Sequence, residues 1–331
     1  METKRRQCVT LVLHIGLLAF AVLAGLPART AVGQTSSPAI PGLRTETLAV
    51  DAAVPLSAGP VKLPPKEKFH LFLLVGQSNM AGRGAIEEQD TTPHPRVFML
   101  DQAGKWVPAV DPLHFDKPAA GTGLGKTFGI EIAQRHLDIA VGLIPCAVGG
   151  SPIDSWKPRE FYEPTHSHPW DDAVRRARIA MKSGVLKGVL WHQGESDSND
   201  ALASTYELKL HDLISRFRKE LRAPKVPFIV GRMGRFADRP WDQARRRVDK
   251  AHRDLPEKIP RTAFVDSESL HHKSDEVHFD SASYRELGRR YAEAFAKLTG
   301  HKQPPEAAGP TSRPTDPVQR RQATLPSRPS E

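Results

Sequence analysis

Cysteine is nearly absent from this 331-residue chain, which has only Cys8 and Cys146. Cys8 falls in a leader-like segment expected to be removed, so the folded part keeps one thiol. An intrachain disulfide and a zinc site built from several thiolates are thereby excluded. Stability must come from a packed core, which a domain of this size can supply. Long apolar runs are also scarce: beyond residues 9–26, no stretch is long and apolar enough to cross a bilayer. There is no internal repeat. Aromatic residues make up only 7% of the chain and do not alternate with basic runs, so a nucleic-acid surface is not expected. The net charge of +9 comes from clusters such as Arg175-Arg176 and Arg245-Arg246-Arg247, interleaved with acids. It reads as a solvated basic face whose field favours acidic polysaccharide.

The N-terminus has the layout of a signal peptide over residues 1–33. Lys4, Arg5 and Arg6 precede the apolar run, and Ala31-Val32-Gly33 offers small residues for cleavage before Gln34. This predicts export to the periplasm or medium, with no membrane span after cleavage. Residues 34–66 and 300–331 are rich in proline and poor in periodicity, and are expected to be a linker and a disordered tail. The folded domain is then residues 67–299.

Within it, apolar runs of strand length at 69–75, 97–100, 139–147, 185–191, 227–230 and 263–265 alternate with helical periodicity at 127–136, 171–183, 201–221, 241–253 and 281–298. Continuous apolar strands separated by amphipathic helices predict an α/β domain with a mostly parallel sheet covered on both faces. Such sheets bind ligands at the carboxyl ends of their strands, and polar blocks follow four of these runs.

The first is Gly76-Gln77-Ser78-Asn79-Met80-Ala81-Gly82-Arg83-Gly84. A serine after a buried strand, between glycines that permit a tight turn, can be lifted to the rim of the sheet as a nucleophile. It is not the elbow of α/β-hydrolases, since Met80 stands where their second glycine belongs. The second block, Val148-Gly149-Gly150-Ser151, could offer backbone N–H groups to an oxyanion. The third, His192-Gln193-Gly194-Glu195-Ser196-Asp197, supplies Gln193 as a neutral side-chain donor, with His192 and Glu195 shaping the loop. In the fourth, Asp275 stands three residues before His278, close enough to fix its tautomer; Glu195 is the alternative orienter.

These four blocks, with Trp156 and Trp191, resemble the GDSL-like or SGNH hydrolase superfamily. More narrowly they are similar to its sialate O-acetylesterase and acetyl xylan esterase branch, carbohydrate esterase family six. The resemblance spans residues 69–298. It implies a flavodoxin-like three-layer α/β/α sandwich, with Ser78 as nucleophile, His278 as base and Asp275 as its orienter. It also implies oxyanion donors from the N–H groups of Ser78 and of Gly149 or Gly150 and from the Gln193 side chain, with Asn79, His192 and Glu195 supporting. Gln193 stands where the wider superfamily usually has asparagine, which is the pattern of this branch. The expected substrate is an acetylated carbohydrate, with no metal, cofactor or obligate protein partner.

Three other features compete. Residues 120–127 satisfy a relaxed phosphate-loop pattern, but a loop rather than a buried strand precedes them. His271, His272, Asp275 and His278 have metal-ligand types without a common helical face. A carbohydrate-binding protein on the same fold, or an esterase for feruloyl or lipid esters with Tyr162, Trp170 and Phe236 lining an acyl pocket, are the rival functions.

Overall fold

The computed structural model describes residues 61–300. The expected signal peptide, most of the linker and the tail beyond Gly300 lie outside the described residues. Seven strands form one sheet: β1 (Phe69–Gly76), β2 (Val97–Leu100), β3 (Trp106–Pro108), β4 (Ala140–Pro145), β5 (Val185–His192), β6 (Phe228–Gly231) and β7 (Thr262–Val265). Their order is β3-β2-β4-β1-β5-β6-β7. All neighbours run parallel except β3, which pairs antiparallel with β2.

The unbroken apolar sequence of β1 follows from its place at the centre of this sheet. Phe69, Leu71, Leu73 and Val75 enter one core, and Phe72 and Leu74 enter the other. A strand buried on both faces has no polar side to alternate with. Helices α1 (Leu124–Arg135) and α5 (Ser281–Thr299) share the second core, and α2 (Pro169–Ala180), α3 (Tyr206–Glu220) and α4 (Gln243–Arg253) share the first. The result is a three-layer α/β/α sandwich, as expected. Side-chain caps fix two helix starts: Asp242 accepts the Arg245 N–H at 2.7 Å and Asp280 accepts that of Ser283 at 2.7 Å. No helix of the described residues is long and apolar enough to cross a membrane.

Three local differences from the sequence expectation have physical causes. β3 was not anticipated, because three half-buried residues ending in Pro108 carry no strand-length signal. The helix expected over 201–221 is two, with Asn199 capping a short turn at Asp200–Ala203 before α3 begins. α1 starts at Leu124 rather than Thr127, since the extended Gly123 is its N-cap.

The topology locates the site. After β1 the chain builds β2 and β4 on one side, then crosses to β5, β6 and β7 on the other. The crevice at this switch lies over the carboxyl ends of β1 and β5. There Gly76 pairs with His192, the Gln77 N–H donates to the His192 carbonyl at 3.0 Å, and the Val148 N–H donates to the Gly76 carbonyl at 2.9 Å. Gly76 has φ +133°, and a Cβ on it would fall 2.2 Å from the His192 oxygen. Only glycine allows the strand ends to converge so closely.

Candidate active site

From Gly76 the chain enters a single helical turn, Ser78–Ala81. At its start the Ser78 N–H has no acceptor among the described residues. The Ser78 Oγ lies 2.9 Å from His278 Nε2, and His278 Nδ1 lies 2.7 Å from Asp275 Oδ2. The other Asp275 oxygen accepts the N–H groups of Val277 and His278 at 3.0 and 2.8 Å. Burial pushes the Asp275 carboxyl up, but hydrogen bonds from His278 and Val277 outweigh it and hold the group at about 2. A carboxylate therefore faces Nδ1, which favours the tautomer that leaves Nε2 bare towards the serine.

His278 is carried on a loop rather than on regular structure, and two side chains give that loop its shape. Asn79 donates to the Val277 carbonyl at 3.0 Å and to Glu195 at 2.6 Å, and accepts from the Tyr284 hydroxyl at 2.6 Å. It thus ties the serine turn to both the histidine loop and the third block. Glu195 meets Asn79 rather than His278, so of the two carboxylates considered from sequence it is Asp275 that holds the imidazole. His272 Nδ1 accepts the N–H groups of Ser274 and Glu276 at 3.0 and 3.1 Å, while its Nε2 meets Asp238 at 2.8 Å. These bonds hold Ser274 and Glu276 at φ +82° and +56°, conformations costly for residues other than glycine. His271, by contrast, is anchored through its backbone, its N–H donating to Ser283 Oγ at 2.8 Å and its carbonyl accepting the Asp280 N–H at 3.0 Å. Among the described residues no group of three or more His, Cys, Asp or Glu side chains gathers to hold a metal.

Two of the expected oxyanion donors are turned elsewhere. The Gly149 N–H donates to Asp116 Oδ2 at 2.8 Å, and the same oxygen takes Arg83 Nη2 at 2.7 Å. This buried pair staples the serine block to the second block, and nothing local in the sequence announces Asp116 as the partner. Gly150, next along, has φ +82° and an N–H without an acceptor among the described residues. Ser196 Oγ fixes its carbonyl at 2.8 Å. The Gln193 side chain is fully buried: its amide donates to Asp197 at 2.5 Å and to the Ser151 carbonyl at 3.2 Å, and its oxygen accepts from Tyr206 at 2.8 Å. Both amide hydrogens are used inward, so the side chain is not presented to a substrate.

Beneath it lies a polar layer. Asp197 also accepts the Ile153 N–H at 2.8 Å, and burial pushes its carboxyl up to about 6. Tyr206 joins His252 Nε2 at 2.9 Å. His192 Nδ1 meets the Tyr291 hydroxyl at 3.1 Å, and that hydroxyl donates to the Trp191 carbonyl at 2.8 Å. Burial, then the neighbouring His252, lowers His192 to about 3, so it is neutral and structural.

Lys126 of the phosphate-loop pattern is turned into the protein. Its ammonium is buried and donates to the carbonyls of Gln89 and Asp90 at 2.6 and 2.9 Å. Of the aromatics suggested for an acyl pocket, Trp170 is buried against Phe217 with ring centroids 4.5 Å apart, beside a surface hollow shared with Pro158 and Val174 that neither Ser78 nor His278 lines. Phe236 packs on His272 and Phe279, while the Tyr162 hydroxyl is 3.0 Å from where a Cβ on Gly150 would stand.

Comparison with known proteins places the chain among carbohydrate esterases. Residues 68–297 match the family described as carbohydrate esterase, sialic acid-specific acetylesterase. A probable carbohydrate esterase of Arabidopsis thaliana is 31% identical over 257 residues, covering 70% of this chain and 91% of its own length. The X-ray structure of that Arabidopsis protein superposes with a TM-score of 0.62 at 29% identity, covering 72% of this chain and all of the other. The fold is shared with a carbohydrate acetylesterase from Xanthomonas citri, with a TM-score of 0.55 at 18% identity over 71% of this chain and 57% of that one.

Proposed function

Because the chain belongs to the carbohydrate esterase family of sialic acid-specific acetylesterases, and is therefore a carboxylic-ester hydrolase, we propose that it removes acetyl groups from carbohydrates through an acyl-enzyme on Ser78. The observation that carries this reading is the unbroken chain of hydrogen bonds from Asp275 through His278 to Ser78. His278 Nε2 takes the hydroxyl proton as Ser78 Oγ attacks the acetyl carbonyl. The negative charge on the carbonyl oxygen is met by the N–H groups of Ser78 and Gly150, both without an acceptor among the described residues. Asp275 stabilises the imidazolium, which then gives its proton to the departing sugar oxygen. Water enters on the acyl-enzyme, His278 takes its proton, and acetate leaves with Ser78 restored.

Acetate release from acetylated xylan and from an aryl acetate, by the wild type and by Ser78→Ala, tests the reading. Release that vanishes in the variant supports it; release that persists in the variant overturns it. We also read residues 1–33 as an export signal, so that the enzyme acts on extracellular or periplasmic glycans. Sequencing the N-terminus of the exported protein should find it beginning near Gln34.

A further inference from the structure

Beyond the carboxyl end of β6 a cleft of about 620 Å³ is lined by five arginines, Arg232, Arg235, Arg239, Arg246 and Arg253, against two carboxylates, Asp249 and Glu268. Its volume is that of a small-molecule site. Three of the arginines are neutralised. Arg232 is held by Asp249, Asp266 and Glu268 at 3.0, 3.0 and 3.2 Å, Arg253 by Asp249 at 2.9 Å, and Arg235 by Glu268 at 3.3 Å. The other two bond only to carbonyl oxygens: Arg239 to Glu276 at 3.2 Å, and Arg246 to Trp241. No carboxylate among the described residues pairs with either. Two guanidinium groups are thus left with uncompensated charge on the wall of a concave site.

The same cleft has an aromatic floor. Phe236 and Trp241 line it, and the Trp241 ring is pinned by its Nε1–H to the Gly234 carbonyl at 3.1 Å and by the Arg232 guanidinium 5.3 Å from the ring centroid. A rigid aromatic surface next to forked cationic donors suits a sugar ring that bears a planar anion. The cleft also adjoins the chemistry. Arg239 bonds the Glu276 carbonyl, in the loop that delivers His278 to Ser78, and Phe236 packs on His272 and Phe279 of the same loop, at 4.9 and 5.6 Å. Neither Ser78 nor His278 lines the cleft, so an anion held there and an ester at Ser78 belong to different sugar units.

We infer that this arginine-lined cleft binds a carboxylate-bearing sugar unit, making the substrate an acetylated polysaccharide that contains uronic acid. The inference rests on the proposed esterase reading for the link to acetylation, but the cleft itself can be tested without turnover.

The test is calorimetric titration of the full-length Ser78→Ala protein with de-esterified oligogalacturonate, with neutral xylo-oligosaccharide and with a sulfated dextran oligomer. The expected result is binding of oligogalacturonate, none of xylo-oligosaccharide, and affinity that falls as salt rises. Adding Arg246→Gln or Arg239→Gln should weaken oligogalacturonate binding about tenfold or more. Arg289→Gln, which removes a guanidinium paired with Glu286 outside the cleft, should change it less than about twofold. Thermal melts of each variant separate lost binding from lost fold, and Arg246→Gln, whose side chain is at the surface, serves if Arg239→Gln unfolds. Equal binding by all folded variants, equal binding of the neutral oligomer, or binding of sulfated dextran alone would each overturn the inference. Failure of acetate release by the wild type would instead defeat the Ser78 reading and leave the binding result standing.

Discussion

The carboxyl ends of β1 and β5 are adjacent strand ends, paired at Gly76 and His192, yet they do opposite things with their polar residues. At the end of β1 the chain turns outward, and Ser78 meets an imidazole carried on a partly exposed loop. At the end of β5 the chain turns inward: Gln193 bonds Asp197 and Tyr206, and His192 bonds Tyr291, in a fully or nearly fully buried layer. Both blocks are rich in groups able to do chemistry. What separates them is where unused hydrogen-bond donors remain. Around Ser78 the N–H groups of Ser78 and Gly150 have no acceptor among the described residues, whereas around Gln193 both amide hydrogens are already committed. Buried polar groups must be satisfied, and a group satisfied by the protein has nothing left for a substrate. The inner block acts by holding the outer one: Glu195 anchors Asn79, which holds the histidine loop, and Ser196 anchors Gly150.

The sharpest break in this comparison should come from the outer block. Ser78→Ala is expected to lower kcat on an aryl acetate by on the order of 10⁴–10⁶, with an unchanged melting curve. Asp275→Asn should cost about 10²–10⁴ in kcat, because a neutral amide neither fixes the tautomer nor stabilises the imidazolium. Turnover within about tenfold of the wild type would show that another group orients His278.

The inner block should respond in stability instead. Gln193→Ala leaves Asp197 and Tyr206 short of partners, and should cost about 1–3 kcal/mol in a denaturant melt. Its kcat should fall less than tenfold in whatever protein remains folded. A loss of 10²–10³ in kcat with no change in stability would return Gln193 to the oxyanion. The smallest expected effect is the pH signature of Asp197. Its carboxyl is raised to about 6 by burial, so the folded state binds that proton more tightly than the unfolded chain. Its contribution to stability is complete below about pH 4, near the ordinary value for an aspartate, and is lost as pH rises to about 6. Asp197→Asn should flatten the melting temperature across that window. A slope identical to that of the wild type would remove Asp197 as its source.

The sequence disclosed the sheet because burial on both faces leaves its mark on composition, as in β1 and β5. It disclosed Asp275 and His278 because three residues separate them and the pairing is local. It did not disclose that Asp116 takes the Gly149 N–H, since that bond joins positions 33 apart through a loop with no motif of its own. Nor could it fix the direction of the Gln193 amide, which depends on Asp197, Ser151 and Tyr206 arriving from three segments at once. The roles of Asn79 and His272 have the same character. Residue types were readable, but the bonds that use them exist only once the loops are folded together.

The most direct test of the central claim is covalent trapping. The protein would be treated with a fluorophosphonate, digested and its peptides weighed, in parallel for the wild type, His278→Ala and Ser78→Ala. One adduct is expected, on Ser78, forming far more slowly in His278→Ala and absent from Ser78→Ala. An adduct on another residue, or labelling of Ser78 at the wild-type rate without His278, would contradict it.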